Sequence, residues 1–275
     1  MGVIKILLGR TKFSAWKKRN IIEEYVDIGD IKIYYAKFGI GKPVFLLHGG
    51  MADYTSWFFQ IKELAKHFQI IAPDTRAHGR STDSDKPLSY DLLASDISQL
   101  MKKLGIKKAS FVGWSDGGCT SLALGLKYPE LVNKLVIYES PYNLSNYHPE
   151  VFEEFDNVDP YNLPKEYKFI KRAYEKVAAN PDNWFKLVKK EMDLAKREPN
   201  FTLDQLKNIE RPTLVIFGGE EQLFPVKVGQ EMVNAIPNAR LEVIPGGTHM
   251  VHMEKPKLFN QLIKSFLKNL SLKWQ

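Results

Sequence analysis

Residues 109–124 have the sequence ASFVGWSDGGCTSLAL, an apolar run followed by G-x-S-x-G and a stretch rich in small residues. This pattern predicts a strand, a very tight turn and a helix, with Ser115 at the bend. A serine at such a turn adopts a strained backbone conformation and exposes its hydroxyl above the sheet edge. Gly113 and Gly117 fit this turn because a side chain at either position would collide with a neighbouring strand or helix. Ser115 is therefore a candidate nucleophile.

A second apolar run, Pro43–Leu47, leads into the sequence HGGM at positions 48–51. Glycine lets a backbone approach a bound substrate closely, and amides that follow such a strand can face the nucleophile. We therefore expect the N–H groups of Gly50 and Asp116 to form an oxyanion hole, assisted at Asp116 by the positive end of the helix. His48 is expected to stabilise the turn, because it precedes the nucleophile and its loop already supplies a backbone amide.

A predicted strand at residues 241–245 is followed by GGTHMVHMEKP at positions 246–256. A histidine on this loop can reach Ser115 and accept its proton, which a hydroxyl must lose to act as a nucleophile at neutral pH. His249 is the predicted base, and His252 is expected to pack in the core because one base is enough. The two histidines also suggest metal ligands. No cysteine or carboxylate cluster accompanies them at a suitable spacing, so no metal is expected.

A further predicted strand, residues 213–217, ends in GGEEQLFP at positions 218–225. A carboxylate in this loop would fix the tautomer of the base and stabilise the imidazolium that forms during attack. Glu220 and Glu221 are both candidates, and their side chains point in opposite directions if the backbone is extended. The chain thus carries a serine, an acid and a histidine in that order.

This order of motifs resembles the α/β-hydrolase fold superfamily, and the resemblance covers nearly the whole chain. The segments 113–118 and 249–256 are most similar to small carboxylesterases and valacyclovir-hydrolase-like serine hydrolases. The sequence DTRAHGRS at 74–81 resembles the family's loop after strand four, with Ala77 where a glycine is usual. The resemblance implies a mostly parallel, eight-stranded sheet with helices on both faces and a helical cap inserted after strand six.

The resemblance also bears on the choice of acid. Family members usually carry an aspartate four positions before the proline of this loop, where this chain has Glu221. Glu221 is thus preferred to Glu220, and its extra methylene requires a shifted loop or histidine. Glu139, at the end of the predicted strand 134–138, is a third candidate because some relatives place their acid there. The other two of these three glutamates are then expected to be solvated loop carboxylates.

Strand and helix patterns alternate over residues 21–140 and again over 211–275, which predicts the core of an α/β domain with both sheet faces covered. Helical patterns span residues 90–104 and 226–235. Residues 24–35 contain two extended runs around a glycine and predict an antiparallel hairpin at the sheet edge. At 275 residues the chain can bury one large core.

Between residues 141 and 210 the alternation stops, and proline-punctuated helical patterns rich in charged and aromatic residues follow. An insertion here resembles the cap that roofs the active site in many relatives. Two or three of its aromatic side chains are expected to contact substrate, and the others to hold the cap on the core. These aromatic residues are Phe152, Phe155, Tyr161, Tyr167, Phe169, Tyr174, Trp184 and Phe185.

Two residues outside the insertion, Trp114 and Met51, are also predicted to contact substrate. The carboxylate of Asp116 lies beside the nucleophile in sequence. It either bonds its own loop or, if it faces the pocket, favours a cationic group near the scissile bond.

The net charge is +7, and the six lysines and arginines of residues 1–20 account for nearly all of it. This basic N-terminal extension is expected to be solvated or packed on the domain, with weak association with a membrane surface as the alternative. No nucleic-acid binding is expected of the nearly neutral remainder. No apolar run suits a membrane span or a signal peptide, so stable membrane insertion is not expected. Cys119 is the only cysteine, so a reducing, cytoplasmic compartment is favoured.

The motifs together predict a serine hydrolase that cleaves carboxylic esters of small molecules through an acyl-enzyme, with Ser115, His249 and Glu221 as its triad and with no cofactor. The same triad fits a C–C bond hydrolase, a lactonase, an aminopeptidase or a cofactor-free perhydrolase, and the fold cannot choose among them. A non-catalytic ligand-binding receptor on a hydrolase scaffold is the alternative outside enzymes. The protein is expected to be a monomer or a homodimer.

Overall fold

The computed structural model describes residues 3–159 and 161–270. Residues 1–2, 160 and 271–275 lie outside the described residues, as do the side chains of 3–7, 154–157 and 165–166. Parts of the N-terminal extension, the insertion and the C-terminal core segment predicted from the sequence therefore lie outside the described residues. The described residues form eight strands: β1 (Ile22–Asp27), β2 (Lys32–Phe38), β3 (Pro43–Leu47), β4 (Gln69–Pro73), β5 (Ala109–Trp114), β6 (Val132–Tyr138), β7 (Thr213–Gly218) and β8 (Ala239–Ile244).

One sheet contains all eight strands in the order β1-β2-β4-β3-β5-β6-β7-β8. β1 and β2 form an antiparallel hairpin at one edge, and β2 is antiparallel to β4. From β4 to β8 each neighbouring pair of strands is parallel. The predicted mostly parallel, eight-stranded sheet with an edge hairpin is thus confirmed. The carboxyl ends of the parallel strands meet at one edge, which is where ligands bind in sheets of this kind.

The strand side chains alternate between two cores, because adjacent residues of a strand face opposite sides of the sheet. In β3, Phe45 and Leu47 pack into one core, whereas Val44 and Leu46 pack into the other. Every residue of β5 is buried, as expected for a strand between two layers of helices.

Eleven α-helices accompany the sheet in the described residues: α1 (Val3–Lys17), α2 (Phe58–Leu64), α3 (Tyr90–Lys103), α4 (Asp116–Lys127), α5 (Pro149–Asn157), α6 (Lys165–Glu175), α7 (Trp184–Ala195), α8 (Leu203–Leu206), α9 (Lys227–Ala235), α10 (Val251–Glu254) and α11 (Pro256–Leu267). Side chains of α3, α4 and α9 share the core that contains Phe45, and side chains of α1, α2 and α11 share the core that contains Val44. Helices therefore cover both faces, as predicted.

The predicted helices at 90–104 and 226–235 correspond to α3 and α9. α3 begins after Ser89, whose hydroxyl accepts the backbone N–H of Leu92 at 3.0 Å and so satisfies one of the free amides of the first turn.

Helices α5–α8 lie between β6 and β7 in the chain, within the stretch predicted to form a cap. They have a small core of their own, in which Trp184, Leu187 and Val188 pack with Tyr174. α6 ends at Glu175, and in the turn that follows the N–H groups of Val177 and Ala178 both donate to the carbonyl of Tyr174.

The basic N-terminal segment forms α1, which packs on the domain. Phe13 is only 4% exposed, and its ring lies 6.1 Å from that of Phe38 and 6.5 Å from that of Phe58. Lys17 at the end of the helix forms an ion pair with Glu23 of β1 at 2.7 Å. None of the helices in the described part of the chain combines the length and the apolar composition that a membrane span requires.

Candidate active site

Ser115 lies between β5 and α4 at a sharp backbone bend, with φ 53° and ψ −118°. A residue with a side chain rarely adopts this conformation, which costs about 1–3 kcal/mol. A Cβ added to Gly117 would lie 2.1 Å from the carbonyl oxygen of Leu47, and one added to Gly113 would lie 2.1 Å from the carbonyl oxygen of Gly117. Both glycines are therefore needed for the steric reason predicted from the sequence.

The loop after β3 lies against this bend. A Cβ added to Gly49 would lie 3.1 Å from the Cβ of Ser115. Asp116 is the first residue of α4, so its N–H has no partner within the helix. Among the described residues, the N–H groups of Gly50 and Asp116 donate no hydrogen bond. Two amides close to Ser115 are thus available to a developing oxyanion.

His249 and Glu221 are joined by a hydrogen bond of 2.9 Å between Nδ1 and Oε2. The side chain of Glu221 is fully buried, and its other oxygen accepts the N–H groups of Gln222 and Leu223 at 2.9 and 2.8 Å. Burial acts to raise the pKa of Glu221, but the hydrogen bond and the charge of His249 outweigh it and lower this pKa to about 2. An ionised Glu221 holds a proton on Nδ1 and leaves Nε2 of His249 free to accept another.

His249 is held next to the serine loop through its backbone. The indole N–H of Trp114 donates to the carbonyl of His249 at 3.1 Å, and the hydroxyl of Tyr138 donates to the same oxygen at 2.8 Å. In the described part of the chain no hydrogen bond joins the side chains of Ser115 and His249. Such contacts are often long without substrate and tighten when it binds.

The structure separates the three candidate acids. Glu220 is exposed, as expected of a solvated loop carboxylate. Glu139 is completely buried at the end of β6, so the expectation that it is solvated was wrong. Oxygen Oε1 of Glu139 accepts the N–H of Gly218. Burial, followed by the proximity of Glu221, raises the pKa of Glu139 to about 11, so this carboxyl is neutral at physiological pH. Glu221 is the ionised member of the pair and the one that contacts His249.

Glu139, Glu221 and His249 place one donor atom each within 4.8 Å of one another. The sequence spacing gave no sign of a carboxylate cluster near the histidines, because the sheet brings together loops that are far apart in the chain. The donor types suit a metal ion. The direct hydrogen bond between Glu221 and Nδ1, together with a neutral Glu139, makes a hydrogen-bonded triad the better description.

The other two histidines near the motifs are structural. His48 is buried, and its Nε2 accepts the N–H of Thr75 at 3.0 Å. Burial lowers the pKa of His48 to about 4 and that of His252 to about 3, so both are neutral. The ring of His252 packs 4.6 Å from that of Trp114.

A buried polar cluster beneath the loop after β3 was not foreseen. Oε1 of Glu191, on α7, lies 3.1 Å from Nε2 of His78. Burial opposes the charge on His78, but the carboxylate of Glu191 raises the pKa of His78 above its ordinary value of 6.5. Glu191 occupies the buried face of α7 beside Val188 and Met192. A carboxylate at a core-facing position was the one signal that the sequence offered.

Asp116 belongs to the same cluster. Its carboxyl accepts the hydroxyl of Tyr90 at 2.8 Å, and a Cβ added to Gly50 would lie 2.4 Å from Asp116 Oδ2 and 2.7 Å from Glu191 Oε2. Burial, followed by the charge of Glu191, raises the pKa of Asp116 to about 8. The carboxyl therefore bonds a neighbouring helix and not its own loop, so the first of the two roles expected for it was wrong.

A cavity of about 420 Å³ opens beside the serine loop and is lined by Trp114, Gly50 and Met51. Both predicted substrate contacts thus face the same space. Of the aromatic residues of the insertion, Phe169 and Tyr174 line it. Trp184 is instead buried in the core of the insertion, and the side chain of Phe155 lies outside the described residues.

Known proteins share this combination of sequence and fold. Mouse serine hydrolase BPHL is 28% identical over 252 residues, which span 88% of this chain and 85% of that protein. A putative esterase/lipase from Haemophilus influenzae is 28% identical over 255 residues, spanning 86% of this chain and 87% of the relative. The solved structure of Est816, described as an N-acyl homoserine lactone degrading enzyme, has a TM-score of 0.74 and 28% identity, and covers 88% of this chain and 100% of its own.

The sequence model of the family described as "alpha/beta hydrolase fold" matches residues 42–185 and 167–256. These ranges cover most of the chain, including strands β3 to β8, the bend at Ser115 and the loop that carries His249. The protein is therefore an enzyme of the α/β-hydrolase fold family.

Proposed function

We propose that this hydrolase cleaves carboxylic esters of small molecules through an acyl-enzyme formed on Ser115. The observation that carries the proposal is the hydrogen bond of 2.9 Å between the buried, ionised Glu221 and Nδ1 of His249. The backbone of His249 is in turn bonded to Trp114, the residue before Ser115. This pair supplies an oriented base of the kind that a serine nucleophile requires.

In the first step, Nε2 of His249 takes the hydroxyl proton of Ser115 while Oγ bonds to the ester carbonyl carbon. The carbonyl electron pair moves onto oxygen, and the amides of Gly50 and Asp116 stabilise that charge. Collapse of this intermediate breaks the bond to the alkoxy group, which leaves as the alcohol with the proton from His249. Glu221 stabilises the imidazolium throughout.

In the second step, water attacks the acyl-enzyme and His249 takes its proton. Collapse returns that proton to Oγ of Ser115 and releases the carboxylic acid. The buried Trp114 and the partly buried Met51 line the adjoining cavity and would contact the acyl or alcohol group. A volume of about 420 Å³ suits a small organic substrate.

Turnover of p-nitrophenyl butyrate tests the proposal. The wild type should release p-nitrophenol, and Ser115→Ala should lower kcat by at least about 10⁴-fold, because the water reaction lacks the covalent step. Ser145→Ala, a change at an exposed serine, is the matched control and should keep the wild-type rate. Equal turnover by the wild type and Ser115→Ala would refute the role of Ser115.

The same atoms can attack a lactone, a thioester or the ketone of a vinylogous diketone. A panel that compares these with simple esters ranks the substrates by kcat/KM, and the proposal requires an ester to rank first. Binding of such compounds with no turnover by the wild type would instead indicate the receptor alternative.

A further inference from the structure

Two cavities adjoin each other between α1, α6 and the loop after β3. The inner cavity is the one of about 420 Å³ that is lined by Gly50 and by Trp114, the residue before Ser115, and the outer cavity has a volume of about 560 Å³. They share Arg10, Asp53, Thr55, Phe169 and Ala173 as lining residues. The shared walls join the two cavities next to the serine bend.

Away from the walls that the two cavities share, the inner cavity is lined mainly by apolar side chains. Met51 and Trp114 line it beside the serine loop, and Met250 lines it next to His249 in sequence. Phe169 and Ile170 of α6 close it on the side of the insertion. These side chains can enclose a hydrocarbon chain, but they offer it no hydrogen bonds.

The outer cavity is strongly basic. Asp53 is its one carboxylate among the described residues. Five cations line it: Arg10, Lys17, Arg80, Arg172 and Lys176. Asp53 is partly engaged, because it caps the following turn by accepting the N–H of Thr55 at 2.6 Å.

Only two of the five cations have acidic partners in the described part of the chain. Lys17 pairs with Glu23 at 2.7 Å, and Arg80 pairs with Asp74 at 3.2 Å. Arg10, Arg172 and Lys176 form no ion pair with any described residue. The Nε of Arg10 is also buried with no hydrogen-bond partner there. A buried donor without a partner is costly, so an acceptor from a ligand would be favourable at this point.

We propose that the substrate carries an anionic oxyacid group, carboxylate or phosphate, which binds in the basic outer cavity while an apolar chain crosses the inner cavity to the scissile carbonyl. This proposal rests on the proposed function and adds the substrate class. Arginine suits the role because its planar guanidinium binds carboxylate and phosphate through two hydrogen bonds. The basic N-terminal helix thereby becomes a wall of the substrate site.

The test compares p-nitrophenyl esters of matched chain length. Mono-p-nitrophenyl adipate and its ω-phosphonate analogue carry a terminal anion, p-nitrophenyl hexanoate is neutral, and the 6-aminohexanoate ester carries a terminal cation. At low ionic strength at least one anionic ester should exceed the neutral ester in kcat/KM by about tenfold. Salt should reduce this preference, because it screens charges at a partly exposed site. The cationic ester should be the poorest substrate.

Variants locate the preference. Arg10→Gln and Arg172→Gln should each reduce the ratio of anionic to neutral kcat/KM by about three- to tenfold. Lys168→Gln removes an exposed cation from the same helix as Arg172, at a position that lines neither cavity, and should leave the ratio unchanged. If a variant fails to fold, the salt dependence of the wild type still tests whether charge at the outer cavity causes the preference for anionic esters.

The outcomes separate the two proposals. Hydrolysis of the neutral ester that depends on Ser115, without any preference for either anionic ester, would overturn the substrate class and leave the proposed function standing. An anionic preference that survives both arginine changes would also overturn it. Absence of hydrolysis of every ester would overturn the proposed function itself.

Discussion

Glu221 reaches His249 although its side chain is one methylene longer than the aspartate that is usual in the family. The carboxylate folds back over its own loop, where Oε1 accepts the N–H groups of Gln222 and Leu223 and Oε2 faces Nδ1 of His249. The turn absorbs the added length, and the charge remains beside the imidazole.

Replacement of Glu221 tests its role as the triad acid. Glu221→Gln should reduce kcat/KM of ester hydrolysis by about 10³–10⁴-fold, because an amide favours the wrong histidine tautomer and does not stabilise the imidazolium. Glu220→Gln alters the adjacent, exposed glutamate and should leave the rate near that of the wild type. A normal rate for Glu221→Gln would place the acid elsewhere.

The neutral state of Glu139 has a thermodynamic consequence. In the unfolded chain this group loses its proton above its ordinary pKa of 4.5, whereas in the folded protein burial holds its pKa at about 11. The folded state therefore binds the extra proton between these values, and the contribution of Glu139 to the free energy of unfolding falls as pH rises. Glu221, whose folded pKa is lowered, loses its stabilising contribution only as pH falls below 4.5.

Glu139→Gln should remove the pH dependence that Glu139 gives to the free energy of unfolding. The free energy of unfolding of the variant, relative to the wild type, should increase between about pH 5 and pH 8, by at most about 1.4 kcal/mol per pH unit. Urea unfolding across that range measures it, with Glu130→Gln at an exposed position as the matched control. The ionisable groups that face Glu139 are Glu221, His249, Tyr138 and Glu254, and the substitution leaves all four in place. A difference that does not change with pH would mean that Glu139 is ionised in the folded protein.

Helix α7 is attached to the site by the buried pair of Glu191 and His78. The pair links α7 to the loop after β4, and Glu191 also lies against Gly50 in the loop after β3. Because the folded pKa of His78 is raised and that of Glu191 is lowered, both groups are charged between their ordinary values of 4.5 and 6.5. The stability from this pair is lost as pH rises through the folded pKa of His78, and also as pH falls below 4.5.

Glu191→Gln should therefore loosen α7. At about pH 6 the loss of a buried charge partner should destabilise the protein by about 3 kcal/mol and speed amide hydrogen exchange in the helix. Glu175→Gln removes the acid of an exposed pair with Lys171 and should cost under about 1 kcal/mol. Unchanged exchange in α7 after the Glu191 substitution would show that the pair does not hold the helix.

The sequence predicted the local elements well and the buried cluster poorly. The bend at Ser115, the strands and α3 follow from short-range patterns of apolar residues and glycines. Such patterns involve only residues that are close together in the chain. The contact between Glu191 and His78 joins positions more than a hundred residues apart. No local pattern gives that distance: the apolar spacing of α7 places Glu191 on the core face but does not identify its partner.

The arrangement of the basic residues becomes clear only in the folded molecule. From the sequence, residues 1–20 form a basic extension, and nothing in them predicts the burial of Phe13 against Phe38 and Phe58. Packing of α1 brings Arg10 to the same cavity as Arg172 of α6. The cavity between these helices exists only in the assembled fold.

A covalent label tests most directly whether the folded molecule activates Ser115. A fluorophosphonate probe should add one phosphonyl group to the wild type with loss of fluoride, and peptide mapping should place it on Ser115. Ser115→Ala should remain unlabelled, and His249→Ala should react slower by orders of magnitude, because its serine keeps the proton. Labelling of Ser115→Ala at the wild-type rate, or at another residue, would contradict the account.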